Sequence, residues 1–214
     1  MSGSFPATRD RWRHRLPHWE VSDRPHFITI RFTGSLPSDV LERVREIHTN
    51  LQSIEPASPQ FAALQRQYFS TCEKYLDRHE GFAPITSAPH DATATALLAA
   101  WRGLAAPTAG WLVTHAVAMP NHVHFIMAPH RESPAPLRTA LRAWKGRVVR
   151  QANLALGRTG AFWQSDWFDR WLRTDAEEAR VIDYIQQNPV KAGLVRQWTD
   201  WPHRISTPKP ASTA

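Results

Sequence analysis

Cysteine is almost missing from this sequence. Cys72 is the only one in 214 residues, which excludes an internal disulfide and a cysteine-rich zinc site. Its scarcity fits a reducing compartment. Long apolar runs are missing too. Nothing approaches the roughly 18 residues a bilayer-spanning helix needs, so no membrane association is expected. Arg9, Arg11, Arg13 and Arg15 open the chain with no apolar stretch after them, so no secretory leader is expected there. No internal repeat is visible. Acidic residues are few: 19 Asp and Glu stand against 26 Lys and Arg, a net charge of +7. That excess favours a polyanionic partner, although an ordinary basic enzyme would share it.

What is present describes a globular domain. Hydrophobic residues make up 42% and charged residues 21%, and the length suits one domain with an unstapled core. Ten tryptophans are many for this length. Most belong in a core, but exposed ones can stack on unpaired bases.

Residues 1–24 read as a polar, arginine-rich arm. Residues 26–32 alternate, with His26, Ile28, Ile30 and Phe32 on one side and Phe27, Thr29 and Arg31 on the other, which predicts a strand. Helical spacing follows over 38–53 and 59–79, and an alanine-rich helix is expected at 91–102. Residues 111–118 and 122–128 flank a Met119-Pro120-Asn121 turn and should pair as an antiparallel hairpin. A helix over 136–156 carries the apolar stripe Leu137, Leu141, Trp144 and Val148. A tryptophan-rich strand falls within 162–172. The last helix, 175–187, should stop before Pro189. The order predicts an antiparallel α+β sandwich with helices on one face of a small sheet.

Two constellations carry chemistry. His122 and His124 lie two apart in a strand, so both imidazoles share one face and can share one divalent ion. They could equally be ordinary strand histidines, and His115 reads as structural. Tyr184 and Asn188 lie four apart in the last helix and so stack on one face. A phenol is a poor nucleophile at neutral pH and needs a neighbouring group to polarise its target. A metal at the histidine pair would do so. An amide oxygen from Asn188 would complete three protein ligands. The bland alternative makes Tyr184 a core aromatic and Asn188 a helix cap.

These residues also carry a resemblance. Met119-Pro120-Asn121-His122-Val123-His124 resembles the HUH motif of single-tyrosine insertion-sequence transposases and their relatives, the REP-associated tyrosine transposases. Phe162-Trp163-Gln164, Phe168-Asp169-Arg170 and the run from Tyr184 through Asn188-Pro189-Val190-Lys191-Ala192-Gly193-Leu194-Val195 resemble that branch's downstream blocks. Gly34-Ser35-Leu36-Pro37 resembles it as well, and the likeness spans roughly residues 25–205. It implies a ferredoxin-like α+β fold of the HUH-nuclease type. It implies Mg²⁺ or Mn²⁺ on His122, His124 and Asn188. It implies that Tyr184 attacks single-stranded or hairpin DNA, forming a 5′-phosphotyrosine link and freeing a 3′-OH. A cytoplasmic, nucleoid-associated enzyme follows, with a homodimer left open. The helix over 59–79 and Lys145-Gly146-Arg147 depart from the family pattern.

The expected organisation is a basic arm over 1–24, a catalytic domain over 25–205 with a helical insertion at about 55–106, and a disordered tail over 206–214. Arg138, Arg142, Lys145, Arg147 and Arg150 form a basic stripe expected beside the histidine strand, where it could clamp DNA phosphates. The N-terminal arginines, with Trp12 and His14 between them, could bind a hairpin stem. Asp169 and Arg170 could form a buried pair. Two rival functions remain: a domesticated hairpin-binding protein without transposition activity, and a metal-dependent hydrolase.

Overall fold

The computed structural model describes residues 7–13, 16–55, 58–105, 110–130 and 135–207. Its centre is an antiparallel sheet of β3 (His26–Arg31), β4 (Trp111–Ala118), β5 (His122–Pro129), β6 (Phe168–Trp171) and β7 (Arg204–Ser206) in the order β6-β3-β5-β4-β7. The first four of these give the ferredoxin-like arrangement, in which sequence-adjacent β4 and β5 pair and the first and third strands meet at the centre. The β4–β5 hairpin forms as expected, with Ala118 opposite Val123 across the Met119-Pro120-Asn121 turn.

Alternation along β3 and β5 builds two cores. Ile28, Ile30, Val123, Phe125 and Met127 face α3 (Ala92–Arg102) and α4 (Leu137–Ala155). The residues between them, Phe27 and Ile126, face α1 (Ser38–Gln52), α2 (Pro59–Leu76) and α5 (Asp175–Lys191). Helices therefore cover both faces of the sheet, not the one face expected. The apolar residues of β3 and β5 are buried on either side, so each face needs its own cover. The stretch taken for an insertion supplies α2 to one core and α3 to the other.

Three further expectations are corrected. The N-terminal arm contains a hairpin of β1 (Thr8–Arg13) and β2 (Pro17–Val21). It is docked: Glu20 accepts the Leu137 backbone N–H at the start of α4 (2.9 Å), and His18 sits between Asp166 and Asp169. The last helix runs through Pro189 to Lys191 and ends near Gly193, whose φ of 69° is the left-handed geometry that closes helices. A proline this near the end forfeits one hydrogen bond without breaking the remaining turn. Ser206, assigned to the tail, belongs to β7. His14, Arg15 and residues 208–214 lie outside the described residues. Among those described, no helix is long and apolar enough to cross a membrane.

Candidate metal and tyrosine site

His122 and His124 are fully buried on the α2/α5 face of β5, with Nε2 atoms 2.9 Å apart. Each imidazole is oriented through its other nitrogen. Nδ1 of His122 meets Asn121 Oδ1 at 2.7 Å, and Nδ1 of His124 meets Thr29 Oγ1 at 2.8 Å. Asn121 is fixed in turn by donating to the Leu76 carbonyl (2.9 Å) at the end of α2. Burial, and then the neighbouring His124, holds the His122 pKa well below its ordinary value. With Nδ1 engaged by Asn121, its Nε2 is the nitrogen that faces the cluster.

The third member of the cluster escaped sequence reasoning. Glu73 on α2 places a carboxylate oxygen 3.2 Å from His124 Nε2. Ligand atoms of Glu73, His122 and His124 all lie within 4.8 Å of one another. Burial pushes the Glu73 pKa up, but His124, His122 and a hydrogen bond from Tyr184 outweigh it and bring it down to about 2. Its other oxygen, Oε1, is buried with no hydrogen-bond partner. Glu73 follows Cys72 on the edge of the buried stripe Phe61, Tyr68, Cys72 and Leu76. A carboxylate at the margin of an apolar stripe was its only local signal.

Tyr184 on α5 reaches the same point. Its hydroxyl donates to Glu73 and lies 3.3 Å from His124 Nε2. Asn188, one turn on, donates its amide to the phenolic oxygen at 3.2 Å. Asn188 Oδ1 is buried without a partner. Burial, then the Glu73 charge, raises the Tyr184 pKa far above 10. Phe27 and Phe69 wall the phenol, with ring centroids 5.9 and 5.7 Å from it.

The structure thus brings together His122, His124, Tyr184 and Asn188. It does not bring the basic stripe to them. Arg138, Arg142, Lys145, Arg147 and Arg150 lie on α4, across the sheet. The apolar stripe of that helix packs against Phe125 and Trp163, and β5 alternates Phe125 away from the histidines. Lys145 is occupied within the fold, donating to the carbonyls of Gln164 (2.9 Å) and Ser165 (3.4 Å). Burial lowers its pKa to about 8. Arg138 pairs with Asp10 at 3.4 Å. Asp169 and Arg170 do not pair: Asp169 holds His18, and Arg170 meets Glu177 at 3.1 Å. Neighbours alternate across the sheet, so adjacent positions in a strand diverge.

A Haemophilus influenzae protein assigned by name to the REP-associated tyrosine transposases is 30% identical over 40% of this chain. The chain is similar to REP-associated tyrosine transposases. It spans about half of that relative's length, 53%. The match agrees with the resemblance read from the sequence. No protein-family profile matches the chain. A solved REP-associated tyrosine transposase bound to a REP hairpin aligns with a TM-score of 0.49 and 17% identity, over 91% of this chain and 81% of that one. That likeness is too distant to bear on the site.

Proposed function

We propose that this chain is a metal-dependent single-strand DNA endonuclease and strand transferase acting on hairpin DNA through a 5′-phosphotyrosine intermediate on Tyr184. One juxtaposition carries the reading. A phenol hydroxyl lies 3.3 Å from His124 Nε2 and hydrogen-bonds Glu73, at the edge of a cluster of two imidazoles and a carboxylate. A core aromatic has no need of such neighbours.

The donor set fits a divalent ion. His122, His124 and Glu73 would hold it, with Asn188 as a further oxygen donor. The unpartnered acceptors Glu73 Oε1 and Asn188 Oδ1 are the buried atoms such an ion would satisfy. Mg²⁺ or Mn²⁺ bound there would stabilise the charge that develops on a phosphate. In the reaction, the Tyr184 oxygen forms a bond to phosphorus and the bond from phosphorus to the 3′ oxygen breaks. The phenolic proton passes through Glu73, which the hydroxyl already faces, and is handed on to the departing 3′ oxygen, so the step neither gains nor loses a proton. The Asn188 amide, already donating to the phenolic oxygen, supports the phenolate as it forms. Attack by a 3′-OH reverses the step and joins strands. Arg138, Arg142, Arg147 and Arg150 on α4 are assigned to the duplex stem, and Lys145 chiefly to the fold.

The test uses a 3′-labelled hairpin oligonucleotide with unpaired flanks, incubated with Mn²⁺. The expected product is a labelled protein adduct that survives denaturing electrophoresis. Tyr184→Phe, which removes only the hydroxyl, should lose it while still binding the hairpin. An adduct formed by Tyr184→Phe overturns the nucleophile assignment. Hairpin binding by the wild-type chain with no adduct favours the nonenzymatic alternative.

A further inference from the structure

Asn121 closes the turn between β4 and β5, and the contacts of its side chain have forced directions. The residue is fully buried. Its backbone carbonyl accepts the Phe32 N–H at 3.1 Å, which ties the turn to the end of β3. Its side chain bridges the Leu76 carbonyl on α2 (2.9 Å) and Nδ1 of His122 (2.7 Å). A carbonyl oxygen can only accept, so the amide must turn its NH₂ to Leu76 and its oxygen to the ring. That oxygen can only accept as well, so the hydrogen of a neutral His122 ring lies on Nδ1. Nε2 then presents a lone pair to the cluster.

His124 is set the other way. Its Nε2 has three neighbours: His122 Nε2 at 2.9 Å, a Glu73 carboxylate oxygen at 3.2 Å and the Tyr184 oxygen at 3.3 Å. The first offers a lone pair and the second a negative charge. The third gives its own hydrogen to Glu73, so towards His124 it too can only accept. A bare lone pair among three acceptors is repelled by all of them, so Nε2 of His124 carries a hydrogen. Its Nδ1 meets Thr29 Oγ1 at 2.8 Å. A hydroxyl donates or accepts by rotating, so Thr29 fits either form of the ring.

We propose that Asn121 is a positioning residue that makes His122 the standing ligand of the site, while Thr29 leaves His124 switchable. Asn121 confines the His122 hydrogen to Nδ1. The nitrogen that binds is set by the bond that the other nitrogen makes. His124 becomes a ligand only when the N–H bond at Nε2 breaks and one forms at Nδ1. Thr29 then turns from donor to acceptor, and the charge of the ring is unchanged. The inference rests on the metal-site reading above and deepens it, by giving the two histidines of one strand different roles.

Long-range ¹H–¹⁵N NMR on the full chain with ¹⁵N-labelled histidine, free of metal and DNA, reads which ring nitrogen holds each hydrogen. His122→Gln and His124→Gln assign the two rings among the eleven histidines. The hydrogen should lie on Nδ1 in His122 and on Nε2 in His124. In Asn121→Ala the His122 hydrogen should leave Nδ1, and Mn²⁺ affinity should fall at least about tenfold. Asn121→Asp also loses the bond to Leu76 but keeps an acceptor for Nδ1. It should therefore keep the wild-type His122 pattern and bind Mn²⁺ no more weakly than wild type. A merely structural Asn121 would be damaged alike by both substitutions. The ring pattern is read without cleavage, and the wild-type spectrum needs neither variant to fold. Wild-type protein that binds no Mn²⁺ overturns the metal reading. A His122 hydrogen on Nε2, or one that stays on Nδ1 in Asn121→Ala, overturns this one.

Discussion

Glu73 faces two claimants. Its Oε2 receives the Tyr184 hydroxyl and lies 3.2 Å from His124, while Oε1 has no partner. A buried acceptor left unmatched costs about 1–3 kcal/mol, so the arrangement makes sense if a cation completes it. The same argument applies to Asn188 Oδ1, which makes the two residues rival third ligands. Variants separate them. Glu73→Gln removes the charge but keeps the shape, and it should weaken Mn²⁺ binding at least about tenfold, the scale on which metal affinity responds to its immediate surroundings. Asn188→Ala should weaken it less, because a neutral amide contributes no net charge. Titration of Mn²⁺ by its free-ion paramagnetic resonance signal reads both. The reverse ranking would make Asn188 the ligand and leave Glu73 as the proton acceptor alone.

The elements that carry the site are held by contacts far from it. His18, buried between Asp166 and Asp169, fastens the N-terminal hairpin to the β6 region. Burial lowers its pKa, but the charge of Asp169 and the bonds to both aspartates prevail, and it rises to about 9. A folded-state pKa raised above the ordinary 6.5 means stability that is fully present below pH 6.5 and lost as pH climbs towards 9. The shift corresponds to roughly 3 kcal/mol. The melting temperature should therefore fall between pH 7 and pH 9, and His18→Gln should flatten that slope; an unchanged slope would remove His18 from the account. At the far end of α2, Gly81 has φ +90° and packs directly on the Gly34 carbonyl. Gly81→Ala is strained and clashes with backbone, so urea denaturation should show a loss of about 1–3 kcal/mol. The same elements explain what periodicity reveals. The β4–β5 hairpin, α4 and the face shared by Tyr184 and Asn188 are legible because each is decided locally, by alternation every two residues about a short turn in the hairpin and by spacing of three or four in the helices. The β1–β2 hairpin is not, because β1 alternates arginine with polar residues and Trp12 and carries no apolar rhythm. The role of α2 is hidden for a different reason. Glu73 lies 49 residues before His122 in the sequence, and only the fold brings them together. Pro189 misleads because it falls in the last turn, where it forfeits one hydrogen bond without ending the helix.

At the scale of the whole molecule, positive charge lies on both sides of one sheet. Arg66 and Arg173 are with the tyrosine site, while Arg142, Arg147 and Arg150 are exposed on α4 behind it. A hairpin has two parts with different demands, a rigid duplex stem and a flexible unpaired end. On the proposed function, only the end must reach Tyr184. If the stem leans on α4, replacing Arg142, Arg147 and Arg150 with Gln should lower affinity for a blunt hairpin. It should also flatten the dependence of log K on log salt by about 0.9 for each phosphate that is no longer neutralised. The fraction of bound DNA that forms adduct should stay the same, since α4 touches neither Tyr184 nor the histidines. Binding measured from 50 to 300 mM NaCl, alongside adduct yield at saturation, separates the two effects. An unchanged salt slope would assign the stem to the tyrosine side of the sheet. It would leave the α4 arginines as a solvated helix face, and the whole interaction would then rest on the side that holds Tyr184.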